Sequence, residues 1–313
     1  MKKQAPENSI SILISSLSDN TIKQYDSCFR NWWQFCDIKG LDPLNYSLKN
    51  LFDFLLFLLE KKYSYSSINT HKSALSLILS INSDHEQLIK RFMKGDYNIK
   101  PSQPKYSETW DPSPVLQYIE KLHPLHTLSA ENLTKKLVTL LALTTAHRVQ
   151  TLSKIKIDNV VYLEDRIERK IADRIKTSDL NKTQPLLILP YFLDKPELCV
   201  ASVLKFYIEF TKSKRGNEKQ LLLTYKKPFH PATSQTISRW IKTTLEKSGI
   251  NTNIYKSHST RHAATSAAFR SGVNLEMIRK TAGWTSSSNV FNKFYNKTVS
   301  CSTSEFARAV LKI

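Results

Sequence analysis

The chain lacks any apolar run near the roughly 18 residues that a membrane-spanning helix needs. Its apolar stretch Leu51–Leu59 is short and stops at Glu60-Lys61-Lys62, so no membrane span is expected. No long apolar core follows the opening MKKQAPENS, which argues against a secretory signal. Cysteine is scarce: Cys28, Cys36, Cys199 and Cys301 form neither a CxxC pair nor a dense framework, a pattern that suits a reducing compartment. No internal repeat or low-complexity tract occurs. Acid is also short, with 27 Asp+Glu against 46 Lys+Arg for a net charge of +19, and the pI is about 9.7. The excess is spread along the chain and not gathered in one tail, which makes a surface that attracts polyanions. If roughly 6–10 of these charges meet phosphates, affinity falls by about 10³–10⁵ from low to moderate salt.

With 313 residues, 41% of them hydrophobic, the chain can bury two cores. Residues from about 10 to 95 read as helical throughout. Asn20 or Asp19 can cap a first helix with Ile22, Tyr25, Phe29 and Trp33 inward. Gly40 and Pro43 make a turn, and a second helix carries Leu51, Phe52, Leu55, Leu58 and Leu59. A third, started by Ser67, places Ile68, His71, Ala74, Leu75, Ile78 and Leu79 toward the core and leaves Thr70, Lys72 and Ser73 facing out. Four prolines between Lys94 and Pro114 forbid a helix and read as a semi-rigid linker. The expected division is therefore a helical domain over 1–95, a linker over 96–113 and a second domain over 114–313. The second domain begins with helices through Lys154. The segments VVYLEDRIERKIADRIKTSD and QPLLILP then predict a short antiparallel sheet with Asp165 at its first turn. Helices return near 197–212 and 234–247. The expected fold class is mainly α with a small antiparallel β-sheet.

Chemistry concentrates between His258 and Tyr295, in HSTRHAATSAAFRSGVNLEMIRKTAGWTSSSNVFNKFY. His258 and Arg261 stand at i and i+3, about 5–6 Å apart at Cβ on one helix face. Ala263, Ala264, Ala267 and Ala268 supply a small-residue stripe, and Gly272 stops the helix. Asn274 can cap a second short helix with Leu275, Ile278 and Ala282 inward, which Gly283 ends just before Trp284. A third begins in Ser286–Ser288, with Val290, Phe291 and Phe294 apolar and Tyr295 at its end. A second guanidinium, Arg148, lies upstream in LALTTAHRVQTLSKI on what reads as a buried helix. His262 should point elsewhere on its helix than Arg261, as a structural residue. Two arginines and a late tyrosine suggest covalent phosphodiester chemistry.

On these motifs the chain resembles the tyrosine recombinases, the family of DNA integrases and site-specific recombinases, over nearly its whole length. The family order of Arg, Lys on a β-hairpin, His-x-x-Arg, His or Trp, and Tyr maps onto Arg148, Lys176, His258 with Arg261, Trp284 and Tyr295. Lys170, Arg174 and Lys182 share the basic hairpin with Lys176, and any of them could contact phosphate. Many members carry Glu or Asp three residues after the first Arg; here that place is Thr151, whose hydroxyl can hydrogen-bond but cannot neutralise charge. A neighbouring backbone or side-chain acceptor is expected to substitute. The wording of the motifs is most similar to eukaryotic mobile-element recombinases of the Crypton and DIRS/Ngaro types.

The resemblance implies a core-binding domain, with Thr70, Lys72 and Ser73 toward double-stranded DNA, and a catalytic domain behind it. It implies that Arg148 and Arg261 clamp the non-bridging phosphate oxygens. His258 would donate or help move a proton, and Trp284 would give its indole N–H or pack the pocket. Tyr295 would attack phosphorus, and Lys176 would protonate the departing 5′-oxygen. A 3′-phosphotyrosyl intermediate conserves the bond energy, so no cofactor and no metal is expected. The partners implied are double-stranded DNA and further copies of the chain, a dimer on a site and a tetramer in synapsis. The tail SCSTSEFARAVLKI would dock on a neighbouring protomer or on its own domain. The nucleus is the expected compartment if the element is eukaryotic, the cytoplasm if the host is prokaryotic. Two other functions compete: a type IB topoisomerase-like relaxer, against which the His-x-x-Arg spelling argues, and a domesticated DNA-binding protein that has lost the chemistry.

Overall fold

The computed structural model describes residues 6–101, 106–158, 160–175, 178, 184–285, 288, 291–296 and 311. The chain divides into two compact units, 1–104 and 105–313. The first unit is helical among its described residues: α1 (Glu7–Ser15), α2 (Asp19–Lys39), α3 (Leu48–Glu60), α4 (Tyr65–Leu75) and α5 (Ser83–Ile99). Serine caps three of them, because a hydroxyl one residue ahead of a helix accepts an otherwise unpaired N–H. Ser18 accepts from the Thr21 amide, Ser47 from Asn50 and Ser64 from Ser67. These replace the expected starts at Asn20 or Asp19 and at Ser67. The expected domain limit at residue 95 falls inside α5, which continues to Ile99.

The core of this unit gathers Trp32, Phe35 and Cys36 of α2, Leu51, Phe54, Leu55 and Leu58 of α3, Ile68 and Leu75 of α4, and Ile89 and Met93 of α5. Here α2 departs from the expected face. Trp32 is inside, with its ring edge-on to Phe54 at 5.1 Å and its indole N–H donated to the Pro43 carbonyl at 2.9 Å. Trp33 is 43% exposed. Both registers are apolar in sequence; the buried polar indole N–H finds an acceptor in only one of them. Thr70, Lys72 and Ser73 on α4 are half-buried. The Thr70 and Ser73 hydroxyls donate to the Ser66 and Asn69 carbonyls of their own helix, while Lys72 lines an open groove with Ser76, Asn82 and Lys90.

The second unit comprises α6 (Ser113–Glu120), α7 (Ala130–Thr145), α8 (Val149–Ser153), β1 (Val160–Tyr162), β2 (Arg166–Lys170), β3 (Leu186–Pro190), α9 (Val200–Thr211), α10 (Ser234–Lys247), α11 (Ser259–Arg270), α12 (Leu275–Ala282) and a one-turn π-helix, Phe291–Tyr295. The strands form an antiparallel sheet in the order β1-β2-β3, with Val161 opposite Glu168 and Glu168 opposite Ile188. Alternation along β2 and β3 turns Ile167, Leu187 and Leu189 into the core. α7 is the central helix, buried on nearly every side and packed against α9, α10 and α11. Its Lys136 spends its charge on the end of α6, donating to the Ile119 carbonyl at 3.2 Å and the Leu122 carbonyl at 2.6 Å. The expected mainly helical fold with one small antiparallel sheet is what forms.

Candidate active site

The site assembles where α7, α12 and the π-helix end and where α8 and α11 begin. Ala146, at the C-terminal end of α7, adopts a left-handed backbone with φ +49°. That bend lets α8 begin three residues later, with Arg148 as the residue ahead of its first turn. Arg148 is therefore half-buried at a helix start, and not inside a buried helix as its apolar surroundings suggest. Its guanidinium finds no acceptor among the described residues.

Arg261, in the first turn of α11, is 1% exposed. It donates to the Ala146 carbonyl at 2.7 Å and the Ala282 carbonyl at 2.8 Å. These carbonyls belong to the residue that caps α7 and to the last residue of α12, so the cation rests between two helix C-termini, each carrying roughly half a negative charge. The acceptor expected to serve Arg148 in place of a carboxylate at Thr151 is not found among the described residues; the two helix ends hold Arg261. Burial first, then the charge of Arg148, pull its pKa down to about 10, which leaves it a cation at neutral pH. Its Nε has no hydrogen-bond partner among the described residues.

α12 starts on Asn274, whose side chain accepts from the Met277 amide at 2.7 Å. It stops at Gly283, whose φ of +67° favours glycine. The Trp284 amide then bonds back to the Arg279 carbonyl at 2.8 Å. This puts the Trp284 ring under the Arg261 guanidinium, 4.4 Å from it, and 4.8 Å from the Tyr295 ring. Its indole N–H is buried without an acceptor among the described residues. A β-carbon on Gly283 would stand 3.3 Å from Cε1 of His147, so His147 packs directly beneath this turn.

Tyr295 closes the π-helix and is 7% exposed. Phe291, fully buried on Trp284 and Phe269, anchors the turn, and the Ser266 hydroxyl donates to the Tyr295 carbonyl. The Tyr295 hydroxyl lies 3.3 Å from Nε2 of His258, the residue immediately before α11. His262 does not point away as its helical position suggests: its ring stacks on the Tyr295 ring at 4.1 Å and 15°. His147 is likewise missed by spacing arguments. Burial, then Arg261 and Arg148, push its pKa down to about 4, so it is neutral at physiological pH.

The structure thus brings together His258, Arg261, Trp284 and Tyr295, with Arg148 close enough to depress Arg261. Lys176 and Lys182 lie outside the described residues, as do residues 286, 287, 289 and 290 and most of the tail, of which Leu311 is described and exposed. Arg174 is exposed just after β2, between buried Ile171 and Ile175. Thr70, Lys72 and Ser73 belong to the other unit. Among the described residues no cluster of His, Cys, Asp or Glu could hold a metal ion.

Residues 115–300 match the model of the phage integrase family. The chain belongs to the phage integrase family. Among curated proteins none matches this integrase-family chain. Among solved structures it is similar to the Tn1549 transposon integrase in complex with circular intermediate DNA, at 16% identity and a TM-score of 0.59 over 96% of this chain and 97% of that one. It is also similar to a lambda integrase tetramer bound to a Holliday junction, at 14% identity and a TM-score of 0.54 over 95% and 78%. For a lambda integrase dimer bound to a COC′ core site the values are 15% and 0.52 over 88% and 92%. The chain has the tyrosine recombinase fold.

Proposed function

We propose that this integrase cuts and rejoins DNA strands at specific sites through a covalent 3′-phosphotyrosyl intermediate formed on Tyr295. The observation that carries the reading is one hydroxyl, that of Tyr295, held 3.3 Å from His258 beside a buried guanidinium and a buried indole whose donors have no partner among the described residues. A phosphodiester entering there would meet Arg148, the Nε of Arg261 and the Trp284 N–H. Leaving the two buried donors, of Arg261 and Trp284, unpaired costs about 1–3 kcal/mol each, a cost that phosphate oxygens relieve. The trigonal-bipyramidal transition state carries more charge than the ground state, so donors fixed in advance favour it. Tyr295 Oη bonds to phosphorus as the P–O5′ bond breaks. The tyrosine proton passes to His258, and the departing 5′-oxygen takes a proton from Lys176. The reverse attack by another 5′-hydroxyl rejoins the strand, so the reaction needs no nucleotide hydrolysis.

The net charge of +19 supports double-stranded DNA as the partner. The likeness to integrases described as a dimer and a tetramer on DNA supports a dimer on each site and a tetramer in synapsis. The wording around Arg148, His258 and Tyr295 supports a eukaryotic mobile element of the Crypton or DIRS type, and with it the nucleus as compartment.

A pool of duplexes with a randomised core and a nick that releases a short 5′-hydroxyl fragment tests the chemistry. Incubation and denaturing electrophoresis should give a protein–DNA adduct that Tyr295→Phe abolishes while binding persists. DNA bound with no adduct from any sequence would replace strand exchange with a binding role. Relaxation of any supercoiled plasmid, without site preference, would point to a topoisomerase.

A further inference from the structure

Tyr295 must bring its oxygen onto phosphorus along a defined line, and rotation about its Cα–Cβ bond, which carries the oxygen, is restrained where a flat surface packs on the ring. That flat surface is His262. Its imidazole covers one face of the Tyr295 ring at 4.1 Å and 15°, is 8% exposed, and is itself met edge-on by Tyr106 at 5.3 Å and 76°. Tyr106 is held in turn: its ring lies 5.7 Å from that of Tyr255, and its hydroxyl accepts from the Lys256 amide at 3.4 Å. Four residues on, the indole N–H of Trp110 donates to the Ser259 hydroxyl at 2.8 Å. The segment 106–110 is therefore fastened beneath the start of α11.

We infer that His262 is a positioning residue that holds the Tyr295 ring, and with it the oxygen, in place by stacking, with Tyr106 as its brace, so that the chain entering the second unit sets the aim of the nucleophile. The inference rests on the strand-transfer reading of Tyr295. His262 faces the ring and not the oxygen, which lies toward His258; its contribution is flatness and rigidity. Misplacement of a reacting atom by about 1 Å can cost about 10²-fold in rate.

The test compares His262→Phe, which keeps a flat ring, with His262→Leu, which fills similar space without one. Two readouts are used on the full chain: single-turnover adduct formation with a nicked duplex recovered from the randomised pool, and the fluorine resonance of 3-fluorotyrosine placed at position 295 of the free protein. His262→Leu should slow adduct formation about tenfold or more at unchanged duplex affinity, and its fluorine signal should move toward that of a solvated tyrosine. His262→Phe should stay within about threefold of the parent and keep a displaced signal, and Tyr106→Leu should fall between the two. If Leu reacts as fast as the parent, or if Phe is as slow as Leu, stacking is not what His262 provides. Should His262→Leu not fold, a parental rate and signal in Tyr106→Leu would overturn the brace. Absence of any adduct from the parent itself would instead sink the strand-transfer reading.

Discussion

His147 shows how one residue ties fold stability to the site's charge. It is buried beside two guanidiniums, and its folded pKa of about 4 lies below the ordinary value of 6.5. Between those values the unfolded chain binds the extra proton, so stability rises with pH across that window. The contribution is fully present above pH 6.5 and is lost progressively as pH falls toward 4, by up to about 3 kcal/mol. Urea titrations from pH 4 to 7 should show this slope, and His147→Gln should flatten it. An equal slope in the variant would place the acid sensitivity elsewhere. The grouping of His258, Arg261, Trp284 and Tyr295 is legible in their spacing, because each sits at a helix end that a glycine, asparagine or serine marks in the sequence. His147 and His262 are not. A helical wheel turns His262 about 100° from Arg261 and cannot know that the tyrosine-bearing turn folds back onto that side.

At the scale of elements, the site depends on two left-handed turns, one on an alanine that the conformation strains and one on a glycine that it suits. Ala146 has φ +49° where glycine would be at ease, and Gly283 has φ +67° with His147 close behind it. Ala146→Gly should be neutral to about 1 kcal/mol stabilising in thermal denaturation, since relief of the left-handed strain offsets the added freedom of the unfolded chain. Gly283→Ala should cost about 1–2 kcal/mol and move the Trp284 fluorescence, because the new methyl is strained and presses on His147. No loss at Gly283 would mean that the turn relaxes without its neighbours. The elements themselves are largely readable from apolar periodicity and serine or asparagine caps. The face of α2 is not, since Trp32 and Trp33 are equally apolar and only the Pro43 carbonyl, eleven residues away, decides between them.

At the scale of the molecule, the net charge of +19 divides unevenly, +3 over residues 1–104 and +16 over residues 105–313. The binding of a random duplex should therefore weaken by about 10³–10⁵ between roughly 50 and 200 mM salt, with a straight line in log K against log salt. A shallow slope would mean that few phosphates are contacted and that the charge serves another polyanion. Fluorescence anisotropy with a labelled duplex measures it directly.

The Arg261 clamp has a genetic consequence. Its two acceptors are main-chain oxygens, and every amino acid carries that oxygen. No side-chain replacement at position 146 or 282 can delete the acceptor, whereas a guanidinium paired with a carboxylate is undone by a change at either codon. The arrangement halves the mutational target of the pair. Drift in the surrounding sequence can therefore proceed without unfastening the cation.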